Sequence, residues 1–326
     1  MADSAVPRTS SLDVPPLWAA LAQSDRVLIA GAGGGFDVYA GLPIALRLAW
    51  LGKRVRLANL SFSDLGSLDA DAWLSEGCAR IEPDAPGRRD YFPERTLVRW
   101  LRSEGYDWEV HAIARAGVRP VKLAYDSLID DFAPDALVLV DGGTDILLRG
   151  DESGLGTPEE DAVSLVATSQ LTVPTKLVVS LGFGVDAHHG VTSAEVLARL
   201  ADLARDGAYL GALSIPPDAP EALAYVDAVA HAALHNSARP SIVNGQISAA
   251  IQGFSGQPSL PGAPAVTDLF VNPLMAVYFT VRLDALAAKL LYGDAIRSST
   301  SLGEVSRQIE NLRARLSIPA PVRFPH

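Results

Sequence analysis

Asp135-Ala-Leu-Val-Leu-Val-Asp141-Gly142-Gly143-Thr144-Asp145 decides the fold. Five apolar residues stand in a row with no polar alternation, which is how a strand covered on both faces reads. The run stops at an aspartate and two glycines, which allow a sharp turn. Outward from it, the same design recurs. Asp25-Arg-Val-Leu-Ile-Ala-Gly31 is an apolar run entering a glycine turn, and Arg54-Val-Arg-Leu-Ala-Asn59 is a second strand. Trp108-Glu-Val-His-Ala-Ile113, Thr175-Lys-Leu-Val-Val-Ser180 and Gly207-Ala-Tyr-Leu-Gly-Ala-Leu213 are three more. Helical spacing lies between them, at residues 39–51 and 121–132.

Alternating strands and helices specify right-handed crossovers and a mainly parallel sheet with helices on both faces. The expected class is therefore a doubly wound, Rossmann-like α/β fold. In such sheets ligands bind beyond the carboxyl ends of the strands, at the point where strand order reverses. Past residue 216 the strand signal fades. Residues 220–236, 241–251 and 271–291 are expected to be helices, with a glycine- and proline-rich loop at 253–264. The organisation expected is an arm at 1–16, an α/β core at 17–215 and a helical carboxyl-terminal region at 216–326. That last region either closes over the sheet or forms a homo-oligomer interface.

The chain has 326 residues, 48% of them hydrophobic, and a formal net charge of −11. The negative charge argues against nucleic acid as a partner, because phosphate backbones need a basic surface. A single cysteine excludes an internal disulfide framework and fits a reducing compartment. No signal peptide is visible and no apolar run is long enough for a membrane span, so a cytoplasmic protein is expected.

Three loops at strand ends carry the candidate chemistry. Gly31-Ala-Gly33-Gly34-Gly35-Phe36-Asp37 can turn backbone amides toward an anion at a helix start. It begins the dinucleotide fingerprint, but Phe36 holds the third glycine position. The second strand also ends in Asn59 rather than an acid; Asn59 could still bond a ribose. Asp37 reads equally as a helix cap or as a ligand-facing group. Asp141-Gly142-Gly143-Thr144-Asp145-Ile-Leu-Leu-Arg149 is an oxygen-rich strand end, suited to magnesium on Asp141 and Asp145 or to a polar substrate. Thr157, Pro158 and Glu160 read as a capping box, which makes residues 159–161 a helix start without chemistry. Ser180-Leu-Gly-Phe-Gly-Val-Asp186-Ala-His188-His189 brings two histidines to a strand end, where Asp186 could orient one for proton transfer. Arg88 and Arg89 on a basic-aromatic stretch, the helix-spaced pair His231 and His235, the terminal His326, and Asn244 with Gln246 complete the list. Asn244 is the one of these expected to reach a ligand.

Several segments together resemble the DUF1152 family, an uncharacterised family of archaeal and bacterial proteins. They are GAGGGFD at 31–37, LANLSF at 57–62, VDGGTDILLRGDE at 140–152, GLGTPEED at 154–161 and GFGVDAHHGV at 182–191. The resemblance keeps the motif order along most of the chain and implies a shared site without naming its chemistry. Asp141-Gly-Gly-Thr-Asp-Ile also resembles the Asp-Gly-Gly-Asn-Glu-Ile segment of D-glutamate cyclases, which are hydro-lyases. Thr144 stands in place of their Asn, and Asp145 in place of their Glu.

The function expected is an enzyme acting on a small anionic metabolite, of lyase, cyclase or hydrolase type. The catalytic set would be Asp141, Asp145, Asp186, His188 and His189. Gly31, Gly33, Gly34, Gly35, Asp37, Asn59, Gly142, Gly143, Thr144, Arg149 and Asn244 would bind the ligand. Two other readings stay open: an NAD(P)- or nucleotide-binding oxidoreductase, and a non-catalytic small-molecule-binding module.

Overall fold

A computed structural model describes residues 12–257 and 270–322. Most of the expected arm, the second half of the 253–264 loop and His326 lie outside them. Nine strands are found among the described residues: β1 (Arg26–Gly31), β2 (Arg54–Ser61), β3 (Trp73–Ser75), β4 (Cys78–Arg80), β5 (Val110–Ala114), β6 (Ala136–Asp141), β7 (Thr175–Ser180), β8 (Tyr209–Ser214) and β9 (Val277–Arg282). They form one sheet in the order β3-β4-β5-β2-β1-β6-β7-β9-β8. The central five, β5-β2-β1-β6-β7, are parallel. The β3-β4 hairpin and the β9-β8 pair extend the two edges in antiparallel fashion. This is the doubly wound α/β class that the apolar runs predict.

The runs are apolar throughout because both faces are buried. Val27 and Ile29 of β1 and Val138 and Val140 of β6 face one core, with Leu42, Leu97, Tyr225 and Ile247 from helices Leu42–Trp50, Pro93–Ser103, Pro220–His235 and Ile242–Ile251. Leu28 and Ala30, and Leu137 and Leu139, face the other, with Val121, Val163, Val196 and Val305 from helices Val118–Phe132, Pro158–Ser169, Ser193–Arg205 and Leu302–Arg313. No helix among the described residues is long and apolar enough to cross a membrane.

Two expectations change. The helix expected over 39–51 is broken at Gly41 into Asp37–Ala40 and Leu42–Trp50. The helix expected over 271–291 is instead β9 followed by a short helix, Leu283–Ala287. Tyr278-Phe-Thr-Val281 is aromatic and β-branched, a composition that favours strands. Its side chains part between the two cores, Tyr278 to one and Phe279 and Val281 to the other. The Tyr278 hydroxyl donates to the Ala40 carbonyl at 2.6 Å, which ties β9 to the short helix of the first glycine loop.

His111 on β5 is a buried liability. It is 2% exposed, and its Nδ1 has no hydrogen-bond partner. Burial, with the nearby Arg56 charge, pushes its pKa from 6.5 down to about 4. Above pH 6.5 both folded and unfolded forms are neutral here. As pH falls from 6.5 toward 4, the unfolded chain takes up a proton that the folded chain refuses, so stability drops by about 3 kcal/mol. Urea titrations of wild type and His111→Gln across this window check it: the difference between the two curves should grow steadily as pH falls.

Candidate functional site

Strand order reverses between β1 and β6, so the loops that leave their carboxyl ends face each other across the crevice where such sheets bind ligands. The amide of Ala32 extends the ladder by donating to the Val140 carbonyl at 2.8 Å. Beyond this point five carboxyl groups converge: Asp37, Asp141, Asp145, Asp161 and Asp186. The charges of Asp37, Asp141, Asp145 and Asp186 each act on others of the group, and Asp161 feels those of Asp141, Asp145 and Asp37. Four are buried, and Asp37 alone is partly exposed.

Their partners differ. Asp145 Oδ2 accepts from the Thr157 amide at 2.8 Å and its hydroxyl at 3.2 Å. Asp186 Oδ2 accepts in the same way from Thr144, at 2.7 and 3.2 Å. Asp37 Oδ2 accepts from the Gly33 amide at 2.6 Å. Asp141 Oδ2 and Asp161 Oδ1 are buried with no hydrogen-bond partner. None of the ion pairs among the described residues reaches any of the five. Burial, reinforced by mutual repulsion, holds Asp141, Asp161 and Asp186 well above the usual carboxyl range. Burial raises Asp145 as well, and burial with the Asp145 charge lifts Asp37 to about 7. Such a cluster calls for protons or a cation.

The site differs from the sequence-based expectation in several places. Phe36, not Asp37, occupies the cap position, and Asp37 folds back onto the glycine loop. The Gly33 amide therefore serves the chain's own carboxylate rather than an outside anion. Gly142 and Gly143 likewise let carboxylates approach: a methyl group on either would sit about 3 Å from Asp37 or Asp186 oxygens. Thr157 makes no capping bond, because its hydroxyl holds Asp145. Glu160 pairs with Arg115 at 2.6 Å, so the expected capping box is not formed.

Asn59 does not reach toward a ribose. It is fully buried, donates to the Gly35 carbonyl at 2.8 Å and to Glu94 Oε1 at 2.7 Å, and accepts from the Val38 amide at 3.3 Å. Asn244 is also held inside, accepting from the Tyr225 hydroxyl at 2.8 Å and donating to the Phe36 carbonyl at 3.2 Å. The Arg149 guanidinium is clamped by Asp151 at 2.6 and 2.7 Å rather than turned to the crevice. Asp186 orients Thr144, and no hydrogen bond joins it to a histidine. His188 Nδ1 lies 2.7 Å from the Val185 carbonyl, the bond of an ordinary loop histidine, and its ring stacks on His189 with centroids 3.8 Å apart. His189 is exposed and feels Asp145; partial burial and the His188 charge lower its pKa, so it is neutral at pH 7.

Three contributors escape a linear reading. Asp161 looks like a helix start, yet its carboxyl turns into the cluster. Glu94, fully buried, accepts from Asn59 at 2.7 Å and from the Ser63 hydroxyl at 3.0 Å, beneath the first glycine loop. Arg115 stands 4.6 Å over the Phe62 ring, which in turn covers Gly34 and Gly35. Only topology brings these residues together, although LANLSF and GLGTPEED mark two of the three neighbourhoods.

No curated protein matches this chain. The profile of a family described as "Protein of unknown function (DUF1152)" matches residues 88–315, a span that includes four of the five carboxylates and leaves out Asp37 with the first glycine loop. The match takes in well over half of the sequence, and the chain belongs to the DUF1152 family.

Proposed function

We propose that the protein is an enzyme acting on a small anionic metabolite, carboxylate- or phosphate-bearing, by a lyase, cyclase or hydrolase reaction at the β1/β6 crevice. One observation carries the reading. Five carboxyl groups gather at the switch point of the sheet, and two of their buried oxygens have no partner. That arrangement weakens the fold, and groups with such perturbed ionisation concentrate at functional sites.

His189 is the proton carrier in this scheme. It is neutral at pH 7, open to solvent, and under the influence of Asp145, whose negative charge favours the imidazolium formed when a proton is taken. Arg115, half-exposed beside Phe62, is the anion anchor at the rim. The preference for lyase chemistry draws on the likeness of residues 141–146 to the D-glutamate cyclase segment.

The test is a mixture of small carboxylates and phosphate esters incubated with the protein and followed by mass spectrometry. With the converted metabolite in hand, His189→Ala should lower kcat about a hundredfold. Arg115→Ala should chiefly raise KM. Consumption of no anionic metabolite, or full turnover by His189→Ala, rules the scheme out.

A further inference from the structure

The reading above contains a conflict. An anionic substrate is brought to a crevice that carries five acids, none of them ion-paired among the described residues. The hydrogen bonds divide those acids into two groups. Asp145 and Asp186 each receive an amide and a hydroxyl from a threonine, so they hold loops together. Asp37, Asp141 and Asp161 are the remaining three. Each offers one oxygen, and these three oxygens lie within 4.8 Å of one another.

We infer that Asp37, Asp141 and Asp161 bind one hard divalent cation of the magnesium or manganese type, and that the substrate anion meets this cation. In its binding part the inference stands alone; in its role it rests on the function proposed above. Three atoms no more than 4.8 Å apart always leave a point within about 2.8 Å of all of them, so small side-chain movements bring all three to bonding distance of about 2.0–2.6 Å. The donor set is carboxylate oxygen alone, which suits hard cations and not zinc or copper.

Three independent features point to an occupant. Asp141 Oδ2 and Asp161 Oδ1 are buried without a donor, on residues 4% and 3% exposed. Gly33 leaves the space between the acids open: a side-chain carbon there would fall 2.6 Å from Asp161 Oδ1 and 2.9 Å from Asp37 Oδ2. Asp37, the one partly exposed ligand, supplies the route by which an ion and then a substrate oxygen could enter. Asp145, expected from the sequence as a ligand with Asp141, belongs instead to the loop-holding pair.

The experiment titrates the chelator-treated full chain with Mn2+, read by paramagnetic resonance and by thermal melting without substrate. One Mn2+ should bind per chain and raise Tm. Asp141→Asn and Asp161→Asn should each weaken binding by at least about a hundredfold, while their metal-free Tm stays at or above that of wild type. That stability shows that the loss is not one of folding. Glu160→Gln, one residue from Asp161 but paired to Arg115, should bind Mn2+ like wild type. Absence of binding overturns the site, as does binding that survives in both Asn variants. A Tm that rises on acidification but ignores Mn2+ also overturns it, because the acids then share protons instead. Metabolite turnover that persists in chelator would remove the cation and leave the proposed function standing. Mn2+ binding with no metabolite converted would do the reverse.

Discussion

Alanine at Gly31 is expected to destabilise the protein by on the order of 4 kcal/mol. Its methyl group would lie 2.2 Å from Asn59 Oδ1, 2.6 Å from the Val38 amide nitrogen and 2.9 Å from the Asp37 Cβ. None of these can retreat cheaply. Val38 is backbone, and Asn59 is fully buried with three hydrogen bonds in use. Either the start of the helix moves, carrying Asp37 with it, or Asn59 gives up its hold on Val38 and Gly35. Overpacking and a stranded buried amide then act together. Equilibrium urea unfolding measures the loss, and a value below about 1 kcal/mol would mean that this junction is far looser than its contacts imply.

Glu94→Ala should cost about 3 kcal/mol, and Glu94→Gln less than half of that. The alanine leaves the fully buried Asn59 amide and the half-buried Ser63 hydroxyl without their acceptor. Glutamine keeps an oxygen for Asn59 and presents an amide that the Ser63 hydroxyl can accept. It also removes an acid that burial already holds above its usual range. Both substitutions act through Asn59, so Gly31→Ala with Glu94→Ala should fall short of the sum of the single effects. Additivity would show that the two residues support separate parts of the loop.

The central strands are legible because burial on both faces writes itself into unbroken apolar runs, and 175–180 agrees with β7 at both ends. β9 is not, because an apolar run inside a helix-rich region fits either element. The aromatic and β-branched residues Tyr278-Phe-Thr-Val281 are the signal that should have decided it. The two glycine loops could be placed at the crevice from their strands alone. Their chemistry could not, since a carboxylate that points to a ligand and one that ties down a neighbouring turn have the same spelling. Position alone assigns Asp145 and Asp186 to chemistry, yet they hold threonines; it assigns Asp161 to a helix start, yet this residue faces the cluster. Glu94 and Arg115 give no local hint, because what matters for each is a partner 35 or 45 residues away.

Strand β9 sits between β7 and β8, although nearly a hundred residues separate it from β7 along the chain. During synthesis the polypeptide emerges from its amino end, so β7 presents an open, apolar edge and β8 has no neighbour until residues 277–282 follow. An unpaired edge of this kind recruits other chains. The nascent protein thus passes through a stage in which its crevice loops exist but one side of its sheet is unsealed. A chain terminated before residue 277 would be left at that stage, sticky and without the Tyr278 anchor on the short helix that follows the first glycine loop.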